Sequence, residues 1–261
     1  KMKDKKMEKR KKIIKKNNGM LLITGPVGSG KTSILYSILN EVISQDKSAI
    51  TLEDPVEFGF NKARQVQMNP ERGFDYAAGM RSILRQDPDI IMIGEIRDAE
   101  TAEYAVRVAL VGRTVFSTIH ANSGVGTIAR LIDMKIEKSL VAYALNGVVS
   151  SRLVKKNCEN CKEEYVPSQE YISYFDVDLS GYQFYKGRGC DICDGKGYLG
   201  RVGVFEVLEF DTMLRSLIVE GASMAQIQKY VDTAGMKSLK DDALEKVLSG
   251  VIAIENVVTV I

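Results

Sequence analysis

No apolar run in this 261-residue chain approaches the roughly 18–20 residues that a membrane-spanning helix needs, so no such span is expected. The N-terminus lacks the apolar core segment of a secretory leader, and none is expected. The chain shows no internal repeat, and its only low-complexity tract is the Lys-rich start. Histidine occurs once and cysteine four times, so the positions of these few residues carry weight. The composition, 45% hydrophobic and 27% charged, is ordinary for a globular protein. The length suits one large or two smaller domains. A net charge of +2 hides an asymmetry: residues 1–18 hold ten Lys or Arg against two Asp or Glu, and the remainder holds 26 against 32. The basic start reads as a solvated helical lead-in over residues 1–18, with an anionic membrane or nucleic acid as the alternative partner. Its apolar residues Met2, Met7, Ile13 and Ile14 are few for a membrane face. The acidic balance of the rest argues against general nucleic-acid binding.

Gly25-Pro26-Val27-Gly28-Ser29-Gly30-Lys31-Thr32 fits the phosphate-loop pattern G-x-x-x-x-G-K-[ST] at every fixed position. Met20–Thr24 before it reads as a buried strand and Ser33–Leu39 after it as a helix, the context such a loop requires. Its glycines let successive N–H groups converge on a phosphate, and the helix start adds partial positive charge. ATP is therefore the expected ligand, with Gly25, Val27, Gly28, Ser29, Gly30, Lys31, Thr32 and Ser33 contacting it. Lys31 is expected at the β- and γ-phosphates and Thr32 at Mg²⁺. Strand-like runs at Met20–Thr24, Ser48–Leu52, Ile90–Gly94 and Thr114–Thr118 alternate with helical patterns such as Thr101–Leu110 and Gly126–Met134. This alternation predicts an α/β domain with a mainly parallel sheet over residues 19–150, and a site at the C-terminal ends of its strands. Residues 151–200 are loop-rich and hold all four cysteines. Residues 201–261 return to a strand-like Val202–Val207 and then mainly helical patterns, including Asp241–Leu248 and Ile254–Ile261.

Asp89–Glu95 is an apolar strand that ends in a carboxylate, which a P-loop ATPase needs to orient water or metal. Gly94 stands where an Asp is usual, so Thr32 and water must carry more of the metal. Glu95 is the candidate base or outer metal contact. Glu53-Asp54-Pro55-Val56-Glu57 clusters three carboxylates after a second strand, and such a cluster calls for a cation among them. Glu53 is the candidate for positioning the attacking water, and Asp54-Pro55 also reads as a turn start. Arg81 and Arg85, four apart on a predicted helix, share one face. They either neutralise γ-phosphate charge or form a solvated surface. His120 follows the strand Thr114–Thr118, where either a γ-phosphate contact or a structural role fits.

Cys158-x2-Cys161 and Cys190-x2-Cys193, with 28 residues between the pairs, form a four-thiolate zinc pattern. Disulfides are the rival, and the reducing compartment that ATP implies disfavours them. Four cysteines leave no open position for catalysis, so a structural Zn²⁺ is expected.

With these pieces in place, the chain closely resembles the secretion ATPases of type II secretion and type IV pilus assembly. The resemblance covers residues 19–261. Its most specific stretch runs from Arg81 to Asp98, and four ATPase motifs map onto Gly25–Thr32, Thr51–Phe58, Gly94-Glu95 and Ser117–Asn122. It implies a RecA-like P-loop ATPase core, a tetracysteine zinc subregion over 151–200 and a small helical C-terminal region over 201–261. It further implies Mg²⁺-dependent ATP hydrolysis in a hexameric ring at the cytoplasmic face of the membrane, where ring motion drives an inner-membrane platform protein. On this resemblance Arg81 and Arg85 become phosphate contacts and His120 a γ-phosphate sensor. The tetracysteine pattern favours assembly or secretion over retraction. The family's additional N-terminal domain does not precede the core here, so a fragment or truncated member is expected. Ser33, Ala121 and Ser123 stand where the family more often has Thr, Thr and Asp. Three alternatives stay open: a DNA-uptake or conjugation motor of the same superfamily, an ATP-binding interaction module with little turnover, and a zinc-ribbon nucleic-acid binder coupled to an ATPase.

Overall fold

The computed structural model describes residues 13, 14 and 16–261, so the basic lead-in expected over residues 1–18 lies mostly outside the described residues. Two compact units emerge. The first takes the chain up to Pro26, then Lys31–Ser150 and Val207–Met236; the second takes Val27–Gly30, Ser151–Glu206 and Lys237–Ile261. Nine strands are seen among the described residues: β1 Gly19–Thr24, β2 Ala49–Glu53, β3 Arg64–Gln67, β4 Ile90–Ile96, β5 Thr114–Ile119, β6 Leu145–Asn157, β7 Lys162–Tyr165, β8 Phe184–Gly187 and β9 Tyr198–Glu209. Seven form one sheet in the order β3-β2-β4-β5-β1-β6-β9, and β7 pairs with β8.

The pairings β1–β5, β1–β6, β2–β3, β2–β4 and β4–β5 are all parallel. Parallel strands joined by crossover helices are covered on both faces, which is why the sequence shows continuous apolar runs here instead of alternation. Met20 and Leu22 of β1, with Ile91 and Ile93 of β4, face one core; Leu21, Ile23, Ile90 and Met92 face the other. The helix Ala99–Leu110 lays Ala102, Ala105, Val106 and Ala109 on the first core, and Lys31–Val42 lays Leu35, Tyr36, Ile38 and Leu39 on the second. Helix starts are closed by short polar side chains, whose oxygens take up otherwise unpaired N–H groups. Asp75 accepts from Ala78 N at 2.8 Å, Asp98 from Thr101 N at 2.8 Å and Ser123 from Gly126 N at 3.0 Å. Ser123 thus does the capping that an Asp at that position would also do. Helices Thr212–Val219 and Met224–Thr233 belong to the first unit, where Leu214, Ile218 and Ile227 join the first core. No helix among the described residues is long and apolar enough to cross a membrane.

In the second unit Val154, Phe175, Phe184, Val204, Leu239 and Val247 form the core. Asp242, in the first turn of the helix Leu239–Leu248, is buried. It accepts from the Phe205 N–H at 2.9 Å, pairs with Lys237 at 2.8 Å and also holds Lys246. Burial alone would raise its pKa, but the two ammonium groups and the Phe205 N–H win and hold the carboxyl below the ordinary carboxylate value. Its contribution is therefore full above the unfolded value of about 4 and is lost as pH falls through the lower folded value. Asp242→Ala is expected to cost about 3–5 kcal/mol, because two lysines are left without their shared partner. Urea denaturation followed by a probe in this unit checks it.

Candidate functional site

The phosphate loop follows β1 directly. Gly28 at φ 77° and Gly30 at φ 84° hold left-handed backbone that other residues adopt only with strain. Space is not what Gly28 needs, since a Cβ there would meet nothing within 4 Å. Backbone conformation alone demands glycine at that position. The Lys31 ammonium donates to the carbonyls of Gly25 at 2.9 Å and Pro26 at 3.1 Å, so it folds back over the mouth of its own loop. Within the second unit, the Ser151 hydroxyl lies 3.3 Å from both the carbonyl and the hydroxyl oxygen of the buried Ser29. Leu153 would stand 3.6 Å from a Cβ on Gly30. The loop's cradle therefore depends on two residues of β6 that carry no local motif.

Strand register brings the remaining chemistry of the first unit to one edge of the sheet. Thr24 of β1 and Ile96 of β4 both pair with Ile119 of β5. Gly25, Arg97 and His120 each follow one of these three residues. The Thr24 hydroxyl ties two exits together, lying 2.7 Å from Ala121 O and accepting from Ala121 N at 2.9 Å. The β4–β5 register breaks between Ile93 and Ile96, and a bulge of this kind re-aims the side chains within it. Glu95 sits in the break. One carboxylate oxygen meets His120 Nε2 at 2.5 Å, and the other accepts from Arg97 Nε at 2.7 Å. Arg97 also reaches Asp54 at 3.4 Å. Glu95 is 16% exposed, whereas the His120 and Arg97 side chains are more than half exposed. A recessed carboxylate is thus steered by two groups open to solvent.

Glu53 lies elsewhere in this region. Its buried carboxylate accepts from Tyr36 at 2.5 Å, from Thr51 at 2.6 Å and from Gln65 at 3.1 Å. Burial and the adjacent Glu53 push the Tyr36 phenol well above its ordinary value, so it stays a donor. Arg81 makes a 2.7 Å bond to Glu100 on an exposed surface and lies over the Tyr104 ring. The α-helix carrying Arg81 ends at Ile83, and Arg85 falls in a following 3-10 turn that closes on a left-handed Asp87. The two arginines are therefore not on one uninterrupted α-helix. The structure gathers Glu95 and His120; it leaves Glu53 in its own network and Arg81 with Glu100. In the first unit Arg97 and Tyr36, and in the second Ser151, are contacts that motif reading passes over. For Arg97 a signal existed, because residues two apart on a strand share a face with Glu95.

The four cysteine sulfurs lie within 4.8 Å of one another. Cys158–Cys190, Cys161–Cys193 and Cys190–Cys193 are 3.9, 3.8 and 3.7 Å apart. Tetrahedral zinc with bonds of about 2.3 Å separates its sulfurs by about 3.8 Å, so this set fits that ion. None of the four is in a disulfide. The Asn160 amide and nearby backbone N–H groups draw the Cys190 thiol down to about 6, while burial pushes Cys161 up to about 12. Backbone N–H groups of Cys190 and Gly197 point at Cys193 Sγ at 3.3 and 3.2 Å, as in thiolate knuckles.

A parallel sheet, a phosphate loop after its β1 strand and a carboxylate at the end of β4, one strand removed from β1, define a P-loop nucleotide-binding protein. The family model described as Type II/IV secretion system protein matches residues 1–259, and the chain belongs to that family. The type IV pilus assembly ATPase PilB of Thermus thermophilus is 43% identical over 253 residues, covering 96% of this chain and 28% of PilB. The type II secretion system ATPase E of Vibrio cholerae is 42% identical over 251 residues, covering 96% of this chain and 50% of that relative. The chain thus spans half or less of the length of these two relatives. The solved structure of the pilus retraction motor PilT with bound ADP matches with a TM-score of 0.71 at 27% identity, covering 97% of this chain and 64% of that one.

Proposed function

We propose that this chain is the ATPase motor core of a pilus-assembly or type II secretion machine and hydrolyses ATP as its Mg²⁺ complex. The observation that carries the proposal is the Glu95 carboxylate, recessed at the strand ends and steered by His120 and Arg97. Lys31 trades the Gly25 and Pro26 carbonyls for β- and γ-phosphate oxygens, the N–H groups of residues 28–32 hold the phosphates, and Thr32 holds Mg²⁺. Bound Mg²⁺ would supply charge neutralisation to the phosphates. Water oxygen bonds to the γ-phosphorus, the bond to the β-bridging oxygen breaks with its electron pair going to ADP, and a water proton passes to Glu95. His120 senses the γ-phosphate by releasing Glu95. Glu53 holds the strand end in register for this water, and Arg81 and Arg85 supply positive charge once their surface joins the phosphates. The cysteine cluster holds a structural Zn²⁺. The similarity to PilB and to ATPase E supports assembly or secretion as the work done, in a homohexamer acting from the cytoplasmic side on an inner-membrane platform protein.

Lys31→Ala removes a charged hydrogen-bond donor, worth about 1.5–3 kcal/mol, and is expected to weaken ATP binding about 10- to 100-fold. Displacement of a fluorescent ATP analogue checks this. Unchanged affinity would contradict the phosphate-loop assignment.

A further inference from the structure

Tyr76 opens the helix Tyr76–Ile83 and is only 8% exposed. Its hydroxyl makes no hydrogen bond to any described residue. No fully enclosed polar side-chain atom among the described residues lacks a partner. The unpartnered Tyr76 oxygen must therefore open onto space that a water can reach. The ring is anchored inside the first core, whereas the oxygen lies against Gly94, 2.8 Å from where a Cβ would stand on that residue. Leu52 O would be 3.3 Å from the same Cβ. A side chain at position 94 would meet the phenol oxygen. The residue next to Gly94 in the bulge is Glu95.

The charges acting on this phenol are those of Arg97, Asp54, Glu95 and Glu53. Burial and the three carboxylates push it up to about 12, so it stays protonated near neutrality and acts as a donor. The other buried phenol nearby, Tyr36, is already committed to Glu53 at 2.5 Å. Of the two buried phenols, Tyr76 is the one with a donor to give to a small ligand beside the bulge, where Arg97 and His120 already hold Glu95. A water that accepted from Tyr76 and donated to Glu95 would keep a lone pair for the phosphorus.

We propose that Tyr76 is a positioning residue that holds the attacking water beside Glu95, its hydroxyl taking the place of the side chain that Gly94 lacks. This rests on the ATPase reading above. It predicts that the hydroxyl matters for the reacting geometry and not for holding the nucleotide.

The test uses the 261-residue chain with Tyr76→Phe, Gly94→Ala and the double variant. Binding of Mg·ADP is measured with and without aluminium fluoride, which mimics the γ-phosphoryl group in transit, alongside ATP turnover and thermal melting. Tyr76→Phe is expected to leave ADP affinity within about twofold, to weaken binding of ADP with aluminium fluoride about tenfold, and to lower kcat about tenfold with KM unchanged. Its melting temperature should not fall, since the ring is kept. Gly94→Ala should lower the melting temperature when Tyr76 is present and much less in the Tyr76→Phe background, because the 2.8 Å conflict involves the hydroxyl. A Tyr76→Phe chain that binds ADP with aluminium fluoride and turns over like the wild type would overturn the assignment. So would a wild-type chain whose ADP binding aluminium fluoride does not tighten. No Mg²⁺-dependent turnover by the wild type, or no nucleotide binding at all, would instead overturn the ATPase reading, and this assignment with it; wild-type turnover in Glu95→Gln would take the water away from Glu95 and overturn this assignment alone.

Discussion

Chelation of the thiolate metal is expected to unfold the second unit locally while the seven-stranded core stays folded. The cysteine sulfurs stand 3.7–3.9 Å apart in three of their pairs with no covalent link among them. Four partly or fully buried thiols this close hold together only weakly without a cation, since an S–H group is a poor donor. Structural zinc in small domains supplies about 10–16 kcal/mol of apparent binding energy, which is folding energy for the loops it clips. A strong chelator should release one Zn²⁺ per chain and speed proteolysis between residues 158 and 193. Cys193→Ser should do the same without chelator, because Cys193 also collects the N–H groups of Cys190 and Gly197. Cleavage no faster after metal removal would rule out the clip.

The second large effect is on chemistry. Glu95→Gln keeps the size of the side chain and a hydrogen bond to Arg97 or His120, but removes the proton acceptor. Loss of a positioned general base lowers turnover by about 100- to 10,000-fold, and ATP affinity should stay within about threefold of wild type. That pattern is the reverse of Lys31→Ala, where binding falls first. Loss of binding in Glu95→Gln, with turnover per bound ATP retained, would move the base elsewhere; Glu53 would be the next candidate.

Local signals carried most of the fold. β1, β4 and β5 and the helices after them were legible because strands buried on both faces are apolar throughout. β6 was not, since Asn146, Gly147, Ser150 and Ser151 interrupt its apolar residues and pairing with β1 overrides them. β3, whose sequence is Arg-Gln-Val-Gln, is an edge strand with no hydrophobic pattern. The last sixty residues read as one helical region, yet their helices divide between the two units at Met236. Helical periodicity tells that a face is buried but not against what. The phosphate loop and the cysteine pairs were legible for the same reason as β1, because their geometry is set within a few residues. The Glu53 network was not, because its partners Tyr36 and Gln65 come from elements 17 and 12 residues away. The absence of an Asp at position 94 was plain in the sequence. The Tyr76 hydroxyl that a side chain there would meet needed the fold.

Phosphate release from Mg·ATP by the wild-type chain, measured beside Glu95→Gln at matched nucleotide occupancy, tests the central claim most directly. The account predicts Mg²⁺-dependent release by the wild type that all but disappears in the variant. Equal release by both chains at equal occupancy would contradict it.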